Sequence, residues 1–326
     1  MQMSFGKTRL ALVFLFVILA VNFMVAQKPL NSGQSMEPTG FDHDVRPVAP
    51  GGAAAPTPFA VTTGNGINYN GGPVLHGTVP IYVIWYGNWN GTGSNTQATV
   101  NLVGTFLNSL GGSAIELVNT TYGDTTANVS GNLNLAGQIF DTGSQGTRLT
   151  NNKLSAIITR SFTNGLPTDP NGVYVVLTAS NIAENGFCSQ FCGFHTRQTL
   201  NGADIKWAFV GNTDRCPSGC EAQATGPNSP ATGVGGADGL INVLTHETEE
   251  AISDPDLNAW FDSSGQENAD KCNFNFGVVA TCTSAAGCTP AAVSAGSKFN
   301  QTFGGHPWLQ QQNWRNSLGG ACAQHL

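Results

Sequence analysis

Along this chain of 326 residues the apolar positions change their period several times, and each change marks an element. Val79 to Tyr86 is a run dense in β-branched and aromatic residues, which predicts a buried strand. From Gln97 to Leu110 the apolar residues Val100, Val103, Phe106, Leu107 and Leu110 fall at helical intervals, and Gly111-Gly112 ends the helix. Asn132 to Phe140 alternates as a strand, Leu149 to Phe162 returns to the helical period, and Gly172 to Thr178 is a second buried strand. A loop holding Cys188 and Cys192 precedes a further strand, Ile205 to Gly211. A Gly- and Pro-rich loop over 217–236 leads into a helix from about Gly239 to Ser253, which Pro255 stops. Strand and helix alternating, then extra strands and a last helix, predict an α+β fold with an α/β-like N-terminal half.

That last helix carries the candidate chemistry. His246, Glu247 and Glu250 form an H-E-x-x-E pattern. Positions i and i+4 share a helix face, so the imidazole of His246 and the carboxylate of Glu250 can converge on one cation with Glu247 beside them. This is the layout of a zincin helix, with a carboxylate in place of the usual second His, and the element order suits a zincin-like mixed sheet. A catalytic zinc needs a third protein ligand. Glu267, 17 positions after Glu250, is the first candidate, Asp270 the second, and Asp256, ten positions after His246, the third. In this reading Glu247 is the general base on a metal-bound water, and His195, with His76 behind it, stabilises an oxyanion.

Other readings compete for the same residues. Glu249-Glu250 reads equally as a solvated acidic face, with His246 packed in a core. Against that stand the apolar Val243-Leu244 before the motif and the crowding of Asp254, Asp256, Asp262, Glu267 and Asp270 after it, since clustered carboxylates need a cation. Ca2+ is the alternative to Zn2+, with Asp254, Asp256, Asn258, Asp262 and Glu267 as hard oxygen ligands. An EF-hand is excluded because Ala259 and Gly265 stand where its Gly and its bidentate Glu belong. Trp85, Trp89, Trp260, Trp308 and Trp314 offer either a sugar-stacking surface or core, and core is the commoner fate of large aromatics. Asn90, Asn119, Asn128 and Asn300 sit in glycosylation sequons.

The termini and the cysteines set the compartment. Lys7 and Arg9 precede an apolar run from Leu10 to Val21, so residues 1–26 read as a secretory signal peptide cleaved after Ala26. Residues 27–64 are Pro-, Gly-, Ala- and Ser-rich and read as a flexible leader, and residues 65–326 as one domain. Without the signal peptide 11 of the 13 Lys+Arg remain against 20 Asp+Glu, a net charge of -9 that argues against nucleic acid as a partner. No later stretch is a membrane candidate. An exported chain with eight cysteines reads as disulfide-stapled rather than as a thiolate zinc site. The favoured pairing joins Cys188 and Cys192 to Cys216 and Cys220, closes Cys282 to Cys288, and ties Cys272 to Cys322.

Several segments in order resemble the phosphate-induced protein 1, or EXORDIUM-like, family. They are Gly71 to Leu75 running into Ile84-Trp85-Tyr86-Gly87, Phe187-Cys188 through Cys192-Gly193-Phe194-His195, Val210-Gly211-Asn212, Cys216-Pro217 through Cys220, and Gly235 through Trp260. Plant relatives are similar at His246, Glu247, Glu250, Asn258 to Phe261, Glu267, Asp270 and Cys272, which favours Glu267 and Asp270 over Asp256 as ligands. The Cys282/Cys288 pair and His306 depart from the plant pattern. The resemblance implies secretion to the wall or extracellular space and a link with growth, and it supplies no enzymatic activity. Two functions are therefore expected. One is a secreted zinc-dependent hydrolase, most readily a peptidase acting on extracellular peptide or protein. The other is a non-catalytic wall-associated protein with a structural metal and a surface for polysaccharide or a protein partner.

Overall fold

The computed structural model describes residues 34–35, 64–221, 226–228, 236–282 and 296–326. The signal-peptide segment and Cys288 lie outside the described residues. The centre is a six-stranded sheet. In chain order its strands are β1 (Gln34–Ser35), β2 (Val79–Tyr86), β3 (Leu133–Asp141), β4 (Val173–Thr178), β5 (Gly193–Leu200) and β6 (Ala203–Val210), arranged in space as β1-β5-β6-β4-β2-β3. From β3 to β6 the neighbours are parallel. β5 runs antiparallel to β6, and β1 antiparallel to β5. This is the mixed sheet of an α+β protein.

The two buried strands and the alternating one differ for a reason of position. β2 and β4 lie inside the parallel part of the sheet with both faces covered, so their sequences are nearly continuous apolar runs. β3 closes the sheet, and its residues alternate between exposed and half-buried. Three helices cover the sheet: α1 (Gln97–Leu110), α2 (Asn151–Thr163) and α3 (Gly236–Ser253). Thr96 caps α1 by accepting the Thr99 N–H. Gly111 ends it because a Cβ there would lie 2.5 Å from the Leu133 carbonyl oxygen, so only glycine lets the helix end approach β3. The β2-α1-β3 and β3-α2-β4 crossovers step across the sheet in opposite directions, which for right-handed connections sets α1 and α2 on opposite faces.

α3 lies against β4, β5 and β6 and touches α1. Every residue of this helix is buried, its acids included. It begins at Gly236, earlier than the apolar period suggests, and its Asp238 carboxylate accepts the Asn228 N–H at 2.7 Å. After its last turn the Asp254 carboxylate accepts the N–H groups of Asn258 and Ala259 at 2.6 and 2.7 Å, which turns the chain away at Pro255.

Three disulfides staple this frame: Cys188–Cys216, Cys192–Cys220 and Cys272–Cys322. The two C-x3-C pairs are thus joined to each other and Cys272 is tied to Cys322, in agreement with the favoured pairing. Cys282 is also disulfide-bonded. Trp85, Trp89, Trp260 and Trp308 are core residues, and Trp314 is half-buried beneath the Lys271 ammonium, so the stacking-surface reading fails for the first four. Asn119 is buried with its amide donating to the Glu249 carbonyl, which takes that sequon out of reach of a glycan. Among the described residues no helix is long and apolar enough to cross a membrane.

Candidate metal centre

One turn of α3 brings His246 and Glu250 together, with Nε2 3.2 Å from Oε1. β5 delivers His195 from the sheet. Its Nε2 lies 3.6 Å from the other oxygen of Glu250 and 2.9 Å from Glu267 Oε2. Asp270 completes the group, with Oδ1 3.5 Å from His246 Nε2. The ligand atoms thus form two triads sharing Glu250: His195, Glu250 and Glu267 in one, His246, Glu250 and Asp270 in the other, each spanning no more than 4.8 Å.

Local structure explains why these side chains can meet. Side chains two apart on a strand share a face, so Gly193 and His195 look together toward α3. A Cβ on Gly193 would stand 2.8 Å from Glu247 Oε1 and 2.7 Å from Val243 Cγ1, so the missing side chain is the room that Glu247 occupies. His195 is opposite the small Ala208 on β6. The acidic loop is held by its own hydrogen bonds. Glu250 Oε1 accepts the Asp270 N–H at 3.1 Å, Asp270 Oδ2 accepts the Glu267 N–H at 3.1 Å, and the Cys272–Cys322 bridge closes the following turn.

Among the side chains that form it, the cluster is short of positive charge. Four carboxylates, Glu247, Glu250, Glu267 and Asp270, face two imidazoles in a largely buried place. The described Lys and Arg residues nearby, Arg197, Lys206 and Lys271, pair with Asp204, Asp256 and Asp262. Both oxygens of Glu247 are fully buried without a hydrogen-bond partner. Burial, and then the neighbouring carboxylates, push its pKa well above the ordinary range, with His246 pulling the other way. For His246 burial disfavours the charged ring, but Glu250 and Asp270 overcome this and raise its pKa well above the usual imidazole value. A divalent cation answers the same deficit, and the mixed His/carboxylate donor set fits zinc better than an all-oxygen calcium shell.

Gln311 is part of the centre, and pattern reading passed over it in a Gln-Gln-Gln run. Its Nε2 is 3.0 Å from His246 Nδ1 and donates to the Ala269 carbonyl at 3.1 Å, while its Oε1 accepts the Phe274 N–H at 3.2 Å. The two backbone partners orient the amide, so its Nε2 faces Nδ1 of His246.

The remaining candidates are elsewhere. His195, read from the chain as an oxyanion stabiliser, sits within the ring of ligand-type atoms, and Glu267 approaches His195 while Asp270 approaches His246. His76 pairs with Asp124 at 3.0 Å near the surface. Asp256 lies between Arg197 and Lys206 at 3.4 and 3.5 Å, and Asp262 pairs with Lys271 at 3.1 Å. With Asp254 serving backbone N–H groups, the five oxygens proposed for calcium do not gather around one point.

The conserved region of phosphate-induced protein 1 matches residues 67–323. The chain belongs to the phosphate-induced protein 1 family. It is 34% identical over 223 residues to Protein EXORDIUM-like 5 of Arabidopsis thaliana, covering 60% of this chain and 59% of that protein. Protein EXORDIUM-like 3 of the same plant is 31% identical over 221 residues, covering 60% and 64%. The chain thus spans about six-tenths of the length of these relatives. No solved structure matches. The family match covers β2 to β6, α3 and the acidic loop, and so includes every residue of the cluster.

Proposed function

We propose that this phosphate-induced protein 1 family member is a secreted metal-dependent hydrolase, with peptides as its substrate class. One of the two triads, His195, Glu250 and Glu267 or His246, Glu250 and Asp270, would hold the ion and leave a position open for water, and zinc is the ion their chemistry suits. When bound, zinc supplies a water whose pKa falls to about 7. Glu247 is the proton carrier: it accepts the proton of the attacking water and returns it to the leaving amine. The single observation that supports this role is that Glu247, wholly buried and with no hydrogen-bond partner for either oxygen, lies in the field of His246, Glu250, Glu267 and Asp270. Disulfides in three places suit an oxidising extracellular compartment.

The test is metal analysis of the purified protein together with hydrolysis of a fluorogenic peptide mixture. Zinc near one equivalent, with Glu247→Gln keeping the zinc and losing at least ~100-fold in rate, is the expected result. Hydrolysis unchanged in Glu247→Gln, or a preparation that holds calcium or no metal, overturns it.

A second reading, a non-catalytic extracellular protein with a structural metal, is favoured by one observation. His195, His246, Glu247, Glu250 and Glu267 all have 0% exposure, so a substrate has no path to them in this arrangement.

A further inference from the structure

The segment nearest that closed centre comes from far outside the domain. β1 is two residues long, Gln34 and Ser35, and it extends the sheet beyond β5 by antiparallel pairing, Gln34 opposite His195 and Ser35 opposite Phe194. It also touches α3. Between Ser35 and residue 64 the chain is rich in Pro, Gly and Ala, a composition without strand preference, and neither Gln nor Ser is a strong strand former. The pairing therefore reflects what the β5 edge offers: a row of N–H and C=O groups on which, among the described residues, no other strand is paired. β6 takes the other edge of β5.

We infer that the outer edge of β5 is a docking site for an extended peptide, and that Gln34 and Ser35 are its built-in occupant. Recognition there is through main-chain hydrogen bonds, the strand-addition mode of peptide binding, and so tolerates many side chains. An occupant of this edge lies one strand spacing from the backbone of His195, whose ring is 2.9 Å from Glu267 and 3.6 Å from Glu250. That this peptide is also a substrate rests on the hydrolase reading above; that a peptide docks here does not. Displacement of Gln34 and Ser35 then frees the edge for an external peptide.

The experiment uses the full chain and a Gln34→Pro/Ser35→Pro variant, since proline removes the donor that antiparallel pairing needs. The probe is a fluorescein-labelled peptide with the sequence of residues 30–37. We expect it to bind the variant at least tenfold more tightly than the unaltered protein, and its backbone N-methylated analogue to bind neither. Amide hydrogen exchange of His195, whose N–H faces this edge because Cys192 and Phe194 pair toward β6, is expected to be faster in the variant and to slow again when the peptide is added, with unchanged thermal stability of the domain. Equal exchange in both proteins, or equal affinity of the peptide for both, overturns the inference. Neither readout needs a bound metal or turnover. Peptide docking without zinc or hydrolysis would sink only the proposed function, and hydrolysis with unchanged docking would sink only this inference.

Discussion

Glu249 and Glu250 are neighbours on one buried helix, yet they serve two different kinds of site. A step of one residue turns the side chain by about 100°, so Glu250 meets His195 and His246 while Glu249 faces Glu116, from the 3-10 helix Glu116–Thr121. Around this second pair the polar groups are amides and a hydroxyl. Asn119 and Asn268 are hydrogen-bonded to each other, and Asn268 donates to Ser253 Oγ. Glu116 is fully buried with both oxygens unpartnered, and burial pushes its pKa up to about 8. Glu249 is pushed well above the ordinary range by burial and then by Glu116, while His246 opposes the rise. Buried carboxylates can lose their charge to a proton or share it with a cation. With no imidazole in ion-pair contact with either, Glu116 and Glu249 are left to the proton. Where two imidazoles stand among four carboxylates, a metal ion has ligands ready.

The strongest way to break that contrast is to exchange the treatment of the two helix neighbours. Glu250→Ala removes the carboxylate common to both triads and is expected to weaken zinc binding by more than ~100-fold, beyond the loss typical of a supporting residue. Glu249→Ala should leave zinc affinity within about threefold, because Glu249 belongs to neither triad. Competition titration against a zinc chelator reads both values, and equal losses would erase the distinction between the two sites.

The proton-bearing pair sharpens the contrast through pH. The folded-state pKa of Glu116 is raised from 4.5 to about 8, so the native state retains a proton that the unfolded chain releases. Stability is therefore unaffected below about pH 4.5 and falls as pH rises toward 8, by at most about 1.4 kcal/mol per pH unit. In Glu116→Gln this part of the slope is expected to disappear. Thermal melts from pH 4 to 8 check it: the variant should match the parent at the acid end and exceed it at pH 8, and parallel curves would show that Glu116 is already ionised in the fold.

Much of the frame was legible from the chain, and the parts that escaped were mostly those that build the centre. β2 and α1 fall on the residues the apolar pattern marks, because a strand covered on both faces and a helix with one apolar stripe write their burial into the sequence. β5 was read as part of a cysteine loop. Two of its inward positions are Gly193, kept small for Glu247, and His195, a ligand type, so the strand lacks the hydrophobic alternation that would announce it. Its only warning is Phe194 standing between those two residues. The i, i+4 pairing of His246 with Glu250 was readable, since one helix turn supplies it. The division of Glu267 to His195 and Asp270 to His246 depends on tertiary placement of the acidic loop. Glu116 left only a faint trace, a single acid in the apolar run Ile115-Glu116-Leu117-Val118.

Gly193→Ala tests the packing that admits Glu247. The added methyl would lie 2.7 Å from Val243 Cγ1, 2.8 Å from Glu247 Oε1 and 2.9 Å from the Phe209 carbonyl oxygen. The carbonyl belongs to β6, which pairs with β5 along its length, so it cannot retreat without disturbing the sheet. The expected cost is about 1–3 kcal/mol, read as a lowered denaturation midpoint.

The smallest effect is expected at Asp256, where a carboxylate is neutralised by side-chain cations in partial contact with solvent. Arg197 and Lys206 hold it at 3.4 and 3.5 Å, and Asp204 shares both cations at 2.9 and 3.0 Å. Burial raises the Asp256 pKa while Lys206 and Arg197 lower it, so the charge is opposed and supported at once. Asp256→Asn should therefore cost less than about 1 kcal/mol, with a smaller difference in high salt, because Asp204 remains to pair with both cations. Zinc affinity should not change. A loss of bound metal in Asp256→Asn would make this residue a ligand after all and would move the ion away from the shared carboxylate of Glu250, toward the end of the helix.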